Sequence, residues 1–287
     1  MNKTITIFGA SGYLGSHLFE YFSKKTEVIG THYNSPKKGT IYFDLENPDL
    51  NLLNLKDTKI GIICSAITKL GECKKNEEKA YNLNVKGTKK LIQQLFDLNI
   101  IPVFLSSSYV FNGKKGNYTE LDETNARNVY GIHKKLIEDF LKETKEDYLI
   151  ARISKVFGLT PKDGTLFTSI AEELMEDKTI YSATDQMVSP LYIGDLIKII
   201  DKCLEKELFG IYNIASPESF SRDEIAKMIK SKLQIKKGKI ISCKIKDLDF
   251  LDYRPLDTSL NLEKLLGNMD FEFTKVSECL NKLKYIY

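Results

Sequence analysis

Between residues 5 and 153 the chain alternates short apolar runs with segments whose apolar residues recur at helical spacing. Few folds accept that alternation. The strand-like runs are Ile5–Phe8, Val28–Tyr33, Ile41–Phe43, the continuously apolar Ile60–Cys64, Ile101–Leu105 and Tyr148–Ile153. Between them, residues 13–24 carry Leu14, Leu18 and Phe22, residues 77–97 carry Ala80, Leu83, Leu91 and Leu95, and residues 129–143 carry Leu136, Phe140 and Leu141. Strands that are apolar throughout must be covered on both faces, and helices that return between them make βαβ units. The pattern predicts an α/β fold: a Rossmann-type doubly wound parallel sheet. It loses regularity after about residue 158. That places a sheet domain at 1–157 and a smaller α/β lobe at 158–287, interleaved with the end of the sheet.

The turn after the first strand reads Gly9-Ala10-Ser11-Gly12-Tyr13-Leu14-Gly15. Glycines there let the backbone turn sharply, and the opening of the next helix offers N–H groups and a positive end to a diphosphate. In this strand–helix context the turn points to a dinucleotide. At the end of the second strand stand Thr31, His32 and Tyr33, where selectivity for NAD calls for Asp or Glu. Lys37 and Lys38 follow. With no acid there, NADP(H) is the favoured cofactor, with NAD(H) as the alternative; the two lysines read first as a solvated loop.

Tyr130 and Lys134 stand four residues apart on one face of a helix. A phenol ionises near pH 10, and an adjacent ammonium is expected to bring it toward working range. The pair suits protonation of a carbonyl that receives a hydride. It follows Leu105-Ser106-Ser107-Ser108-Tyr109, a buried strand ending in hydroxyls, where ligands sit in open α/β sheets. Ser106 and Ser108 are expected to satisfy backbone groups, Asn84 to act as a structural hydrogen-bonder, and Tyr109 to pack.

Together these residues resemble the extended short-chain dehydrogenase/reductases, and among them the dTDP-4-dehydrorhamnose reductase family. Further similarity lies in Phe43-Asp44-Leu45, Cys64-Ser65-Ala66-Ile67-Thr68, Asn84-Val85-Lys86-Gly87-Thr88, Arg152-Ile153-Ser154, Asp185-Gln186, Ser189-Pro190-Leu191-Tyr192 and Arg254-Pro255-Leu256-Asp257-Thr258. The resemblance implies reduction of a keto group on a nucleotide-linked deoxysugar, for surface polysaccharide precursors. It implies that Ser107 holds the carbonyl oxygen, that Tyr130 protonates it, and that Lys134 binds the nicotinamide ribose. Gly9, Ser11, Gly12, Tyr13, Leu14 and Gly15 would surround the diphosphate. Thr31, His32, Asp44 and Leu45 would meet the adenosine end, and Ser65, Ala66 and Ile67 would line the cofactor's other side. Ser107, Ser108, Tyr109, Lys155, Gln186 and Arg254 are the substrate candidates. Arg254 is weighed for the diphosphate against a structural ion pair.

Two positions depart from the family pattern. Ser107-Ser108 replaces Thr-Asp, and Lys155 replaces a Trp near the sugar; the chain has no Trp. A lysine there must be solvated or paired. The 4,6-dehydratases carry Asp-Glu after the catalytic hydroxyl, and the epimerase–reductases of GDP-fucose synthesis carry Cys at the place of Tyr109; this chain has neither. The remaining alternative is a non-catalytic, NADP-binding regulatory subunit like the β subunit of methionine adenosyltransferase. Intact Ser107, Tyr130 and Lys134 favour an enzyme.

The five cysteines and three histidines have no metal-ligand or disulfide spacing, so no metal is expected. A net charge of +3 does not suggest a nucleic-acid partner. No apolar run is long enough to span a bilayer, and the N-terminus lacks a signal-peptide core, which predicts a cytoplasmic protein. A homodimer is compatible with the sequence.

Overall fold

The computed structural model describes residues 4–287. In chain order its strands and helices begin with β1 (Thr4–Phe8), α1 (Tyr13–Phe22), β2 (Val28–His32), β3 (Thr40–Tyr42) and β4 (Thr58–Ile63). Helices α2 (Leu70–Lys75), α3 (Glu77–Tyr81) and α4 (Thr88–Asp97) follow, then β5 (Ile101–Ser107), α5 (Val129–Lys142) and β6 (Leu149–Ile153). Beyond them come β7 (Val156–Phe157), α6 (Leu166–Met175), β8 (Thr179–Ala183), β9 (Met187–Val188), β10 (Leu191–Tyr192) and α7 (Ile193–Glu205). The chain ends with β11 (Gly210–Ile214), β12 (Phe220–Ser221), α8 (Arg222–Lys232), β13 (Lys239–Cys243), α9 (Glu263–Asn268) and α10 (Val276–Lys284).

The chain packs as two units that exchange segments. The first comprises the chain up to Val110, Thr124–Arg152 and Cys203–Tyr212; the second comprises Phe111–Glu123, Ile153–Lys202 and Asn213–Tyr287. The first unit carries a seven-stranded sheet in the order β11-β6-β5-β4-β1-β2-β3. Neighbours from β3 through β5 pair parallel. The order reverses between β1 and β4, and such a switch point opens a crevice at the carboxyl ends of the strands. The turns after β1 and β4 and the end of β5 are therefore the places to look for a ligand.

Burial agrees with the doubly wound reading. β1 and β6 are buried at every residue. Leu91, Ile92 and Leu95 of α4 join Ile137 and Leu141 of α5 and Phe8, Ile63, Phe104 and Ile150 of the strands in one core. The long helix expected over 77–97 is helical throughout, but Asn82–Gly87 widens into a π-helical stretch between α3 and α4. Gly87 explains why backbone can pass there: a Cβ on it would lie 2.0 Å from the Leu45 carbonyl oxygen.

The second unit has its own core, built by Phe157, Phe167, Ile170, Leu174, Ile225, Ile229, Cys279 and Leu283 among others. Its strands pair in twos: β7 with β10 parallel, β9 with β12 antiparallel, β8 with β13 parallel. No helix among the described residues is long and apolar enough to cross a membrane.

Candidate active site

The glycine turn is shaped by two close approaches. Gly9 has φ of +86°, and a Cβ on it would stand 2.6 Å from Ser65 Oγ. Gly15 lies inside α1, and a Cβ there would come within 2.1 Å of the Gly9 carbonyl oxygen. Thr31, buried at the end of β2, accepts a hydrogen bond from Gly9 N at 3.0 Å. That side chain therefore braces the turn. His32 Nδ1 lies 2.7 Å from Thr40 Oγ1, tying β2 to β3. Asp44 closes its own turn by accepting from Glu46 N at 2.9 Å, beside the buried Leu45. Lys37 and Lys38 are exposed.

Whether a dinucleotide fits can be asked of α1 itself. Its N-cap is Gly12, no side chain caps it, and its first turn holds no acidic residue. A helix start left in that state offers N–H groups and a partial positive charge to an anion. Gly12 is exposed and Ser11, Tyr13 and Leu14 are half-buried, so the turn is open to a ligand. On the far side of the switch point, Ser65, Ala66 and Ile67 are half-buried after β4. Asn84, from the π-helical stretch, clamps Ile67 twice: Oδ1 accepts from Ile67 N at 2.8 Å and Nδ2 donates to Ile67 O at 2.9 Å. Asn84 is thus a structural hydrogen-bonder, as expected. The residues fit a dinucleotide phosphate.

At the end of β5 the expected hydroxyl, phenol and ammonium come together. Asn128 caps α5 by accepting from Gly131 N at 2.7 Å. Gly131 lets the helix start close to the 3-10 turn Ser108–Val110, since a Cβ on it would lie 2.1 Å from Tyr109 O. Ser107 Oγ accepts from Tyr109 N at 3.2 Å and hydrogen-bonds the Tyr130 phenol. One turn further on, buried Lys134 donates from Nζ to Leu105 O at 2.7 Å. The same ammonium stands 4.5 Å from the Phe104 ring centroid and 5.6 Å from that of Tyr130. Ser108 is buried and Tyr109 half-buried.

The electrostatics differ from the sequence expectation. Burial pushes the Tyr130 phenol above its ordinary value, Cys73 adds to the rise, and the Ser107 hydrogen bond opposes it. Burial dominates in place of the expected lowering by Lys134: loss of water disfavours the phenolate, and the Lys134 ammonium is committed to the Leu105 carbonyl. Tyr130 therefore holds its proton firmly at neutral pH. Lys134 is pulled down to about 8, by burial first, with Cys64, Glu138 and Cys73 opposing.

A second correction concerns Ser106. Its hydroxyl does not satisfy the backbone; it donates to Glu138 Oε1 at 2.6 Å. Glu138 also takes Arg152 in a two-pronged pair, with Nε 3.0 Å from Oε1 and Nη2 2.7 Å from Oε2, and both side chains are fully buried. Glu138 is not among the candidates that the sequence offers. Its one legible signal was its place one turn beyond Lys134 on the same helix face.

In the second unit the segment 186–191 acts as a scaffold. Gln186 O accepts from Arg222 N at 3.1 Å, and its Nε2 donates to Pro255 O at 3.1 Å. Leu191 N donates to Lys155 O at 2.9 Å. One stretch of chain thus holds the backbone at Lys155, Arg222 and beside Arg254. Gln186 is buried, and its amide nitrogen already serves this fold.

Lys155 is pulled down to about 8 by loss of hydration and then by the charges of Arg222 and Arg254. Its side chain still has open surface. We therefore read it as a crowded cation in a recess rather than a sealed one. Arg254 stacks 4.7 Å from the Phe250 ring centroid, and its Nε is buried without a hydrogen-bond partner among the described residues. A separate cleft of about 610 Å3, lined by Ser189, Ser216, Ser219 and Ser259 among others, includes none of these residues.

Residues 3–284 match the family model of the RmlD substrate binding domain. A probable low-salt glycan biosynthesis reductase, Agl14, of Haloferax volcanii is 26% identical over 274 residues, 92% of this chain and 91% of that protein. The crystal structure of a hypothetical dTDP-4-dehydrorhamnose reductase from Sulfolobus tokodaii matches with a TM-score of 0.81 at 30% identity, covering 96% of this chain and 97% of that one. A dTDP-4-dehydrorhamnose reductase from Bacillus anthracis str. Ames, solved in complex with NADP, gives a TM-score of 0.86 at 24% identity over 99% of each chain, a likeness of fold.

Proposed function

The chain belongs to the RmlD substrate binding domain family, and from that premise we propose that it reduces a keto group on a nucleotide-linked sugar, with NADPH preferred over NADH. The observation that carries this reading is the meeting of Ser107, Tyr130 and Lys134 at the end of β5. The open, uncapped turn between β1 and α1, at the carboxyl end of a neighbouring part of the same sheet, supports it.

The residues divide the work as follows. Gly9, Gly12 and the start of α1 hold the cofactor's diphosphate, with Ser65, Ala66 and Ile67 on the other side of the switch point. Thr31 acts on the cofactor indirectly, by fixing Gly9. When bound, the cofactor supplies a hydride to the carbonyl carbon. Ser107 Oγ holds the carbonyl oxygen, and Tyr130, protonated because it is buried, delivers its proton to that oxygen. Lys134, anchored on Leu105 O, places a positive charge beside Tyr130 and lowers the cost of the phenolate left behind.

Arg254, with a buried and unsatisfied Nε, and Lys155, crowded by Arg222 and Arg254, suit the diphosphate of the sugar nucleotide. The product enters surface polysaccharide synthesis; the glycan biosynthesis role named for the Haloferax relative supports that destination.

The test is a panel of dTDP-, UDP- and GDP-linked keto-sugars with NADPH oxidation as the readout. One or more should turn over without a partner protein. Tyr130→Phe should lower that turnover by about 10²–10⁴-fold and leave NADPH binding intact. Turnover within a few-fold of wild type would remove Tyr130 from the role of acid. A silent panel would remove the reductase reading.

A further inference from the structure

Three consecutive residues at the end of β5 each engage a different turn of α5. Ser107 meets Tyr130, Leu105 O accepts from Lys134, and Ser106 donates to Glu138. Tyr130, Lys134 and Glu138 stand four residues apart in succession, so they climb one side of the helix. The third attachment is the strongest. Glu138 is fully buried, and it takes the Ser106 hydroxyl from β5 and the forked guanidinium of Arg152 from β6, the strand next to β5. A buried carboxylate with this many short partners has only one place to be, because moving it away from them strands a charge in the core. Sliding α5 by one residue would break all three attachments together.

We propose that Glu138 is a positioning residue for the Tyr130–Lys134 pair: clamped by Ser106 and Arg152, it locks the register of α5 against the end of β5 and keeps a fixed negative charge one turn from Lys134. This rests on the reading of Tyr130 and Lys134 as the proton-transfer pair. Burial works against the Lys134 ammonium, and Glu138 is one of the groups that work for it. The groups that face Lys134 are Cys64 beyond β4, Cys73 on α2, and Tyr130, His133 and Glu138 on α5. Those that face Glu138 are Ser106 on β5, Arg152 on β6, Lys142 on α5 and Tyr148 just before β6.

The test needs no substrate. In the full-length protein carrying [13Cε]-lysine, the Lys134 resonance, assigned by its loss in Lys134→Arg, is titrated with pH. The wild-type midpoint is expected at about 8. Glu138→Gln should lower it by at least about half a unit, because the carboxylate's charge is lost while that of Arg152 stays. Glu138→Asp, which keeps the charge, should hold it close to wild type.

Glu138→Gln leaves Arg152 unpaired in the core and can fail to fold, so the double variant Glu138→Met/Arg152→Met is measured as well. It removes the carboxylate without stranding the guanidinium, and its Lys134 midpoint should fall by less than in Glu138→Gln, because the opposing charge of Arg152 goes with the carboxylate. An unchanged midpoint in folded Glu138→Gln, or in the double variant where the single one does not fold, would overturn the proposal. NADPH titration of the wild type runs alongside: if it does not bind, the reductase reading fails while the Lys134 comparison still stands or falls by itself.

Discussion

Replacing Gly15 by Ala sets two effects of opposite sign against each other, and the structure decides between them. Gly15 lies within α1, where Ala is favoured over Gly by about 1 kcal/mol in a helix interior. On propensity alone the variant should be more stable. Yet the new Cβ would stand 2.1 Å from Gly9 O, 2.8 Å from Gly9 C and 3.0 Å from Ala10 Cα. A carbon and a carbonyl oxygen settle at roughly 3.3 Å or more, so α1 and the turn must part by about 1 Å. All three obstructing atoms are backbone, which cannot swing aside as a side chain does. Overpacking of this kind costs about 1–3 kcal/mol, and the upper end applies here.

The net expectation is a loss of about 1–2 kcal/mol, or a melting temperature lower by roughly 2–8 °C. The displaced N–H groups are those that would hold a diphosphate, so NADPH affinity should fall at least about tenfold, or roughly 1.4 kcal/mol. Scanning calorimetry and isothermal titration measure the two effects. Gly267→Ala is the internal control: it also lies in a helix, α9, and nothing stands within 4 Å of its Cβ. It should keep or slightly raise the melting temperature. If Gly15→Ala melts at or above wild type and binds NADPH normally, the turn is not packed as described and the steric argument fails.

Two further expectations concern the cofactor and the cations of the second unit. With no acidic residue at the end of β2 and Thr31 turned to Gly9, NADPH should bind at least as tightly as NADH in calorimetric titration; a strong preference for NADH would mean that His32 or Asp44 meets the ribose differently. Lys155→Met should weaken binding of a nucleoside diphosphate, read by titration with dTDP and UDP. A lysine whose folded pKa is depressed to about 8 makes the folded state less stable while it is charged, and that penalty fades as pH rises through 8 toward its ordinary value. At pH 7 the Met variant should therefore melt at or slightly above wild type, by less than about 1 kcal/mol given its exposure. Loss of stability, or unchanged diphosphate affinity, would make Lys155 a rim residue.

The parts of the molecule legible in the sequence are those written in local periodicity. Predominantly apolar strands, the glycine turn and the Tyr130–Lys134 spacing all depend on residues close together in the chain. Glu138 was illegible for the opposite reason. Helical spacing assigns a charged residue to the solvent face, and only a partner 14 positions away on β6 makes its burial affordable. The π-helical stretch at Asn82–Gly87 leaves the apolar spacing of 77–97 nearly unchanged, so periodicity reads straight through it. The Tyr130 phenol was expected to be lowered, because spacing reveals the neighbouring ammonium but not the depth of burial. Several strands of the second unit are two residues long, too short for any period to mark. The scaffold bonds of Gln186 were hidden from the sequence because their partners lie 36 and 69 residues further along.

The place of β11 in the sheet has a consequence for how the chain is made. β6 ends at Ile153, and its outer neighbour begins at Gly210, a separation of 210 − 153 = 57 residues. At a synthesis rate of about 5–20 residues per second, a nascent chain carries β6 for roughly 3–11 s before its partner exists. During that interval an apolar strand has one side of hydrogen-bonding groups unmet, which is the template for association with a neighbouring polypeptide. β6 is not uniformly apolar, however: Arg152 lies in it and points inward to Glu138. An inward charge spoils pairing with any strand that lacks a buried acid to receive it. The ion pair that orders the finished helix would thus also guard the unfinished sheet on the ribosome.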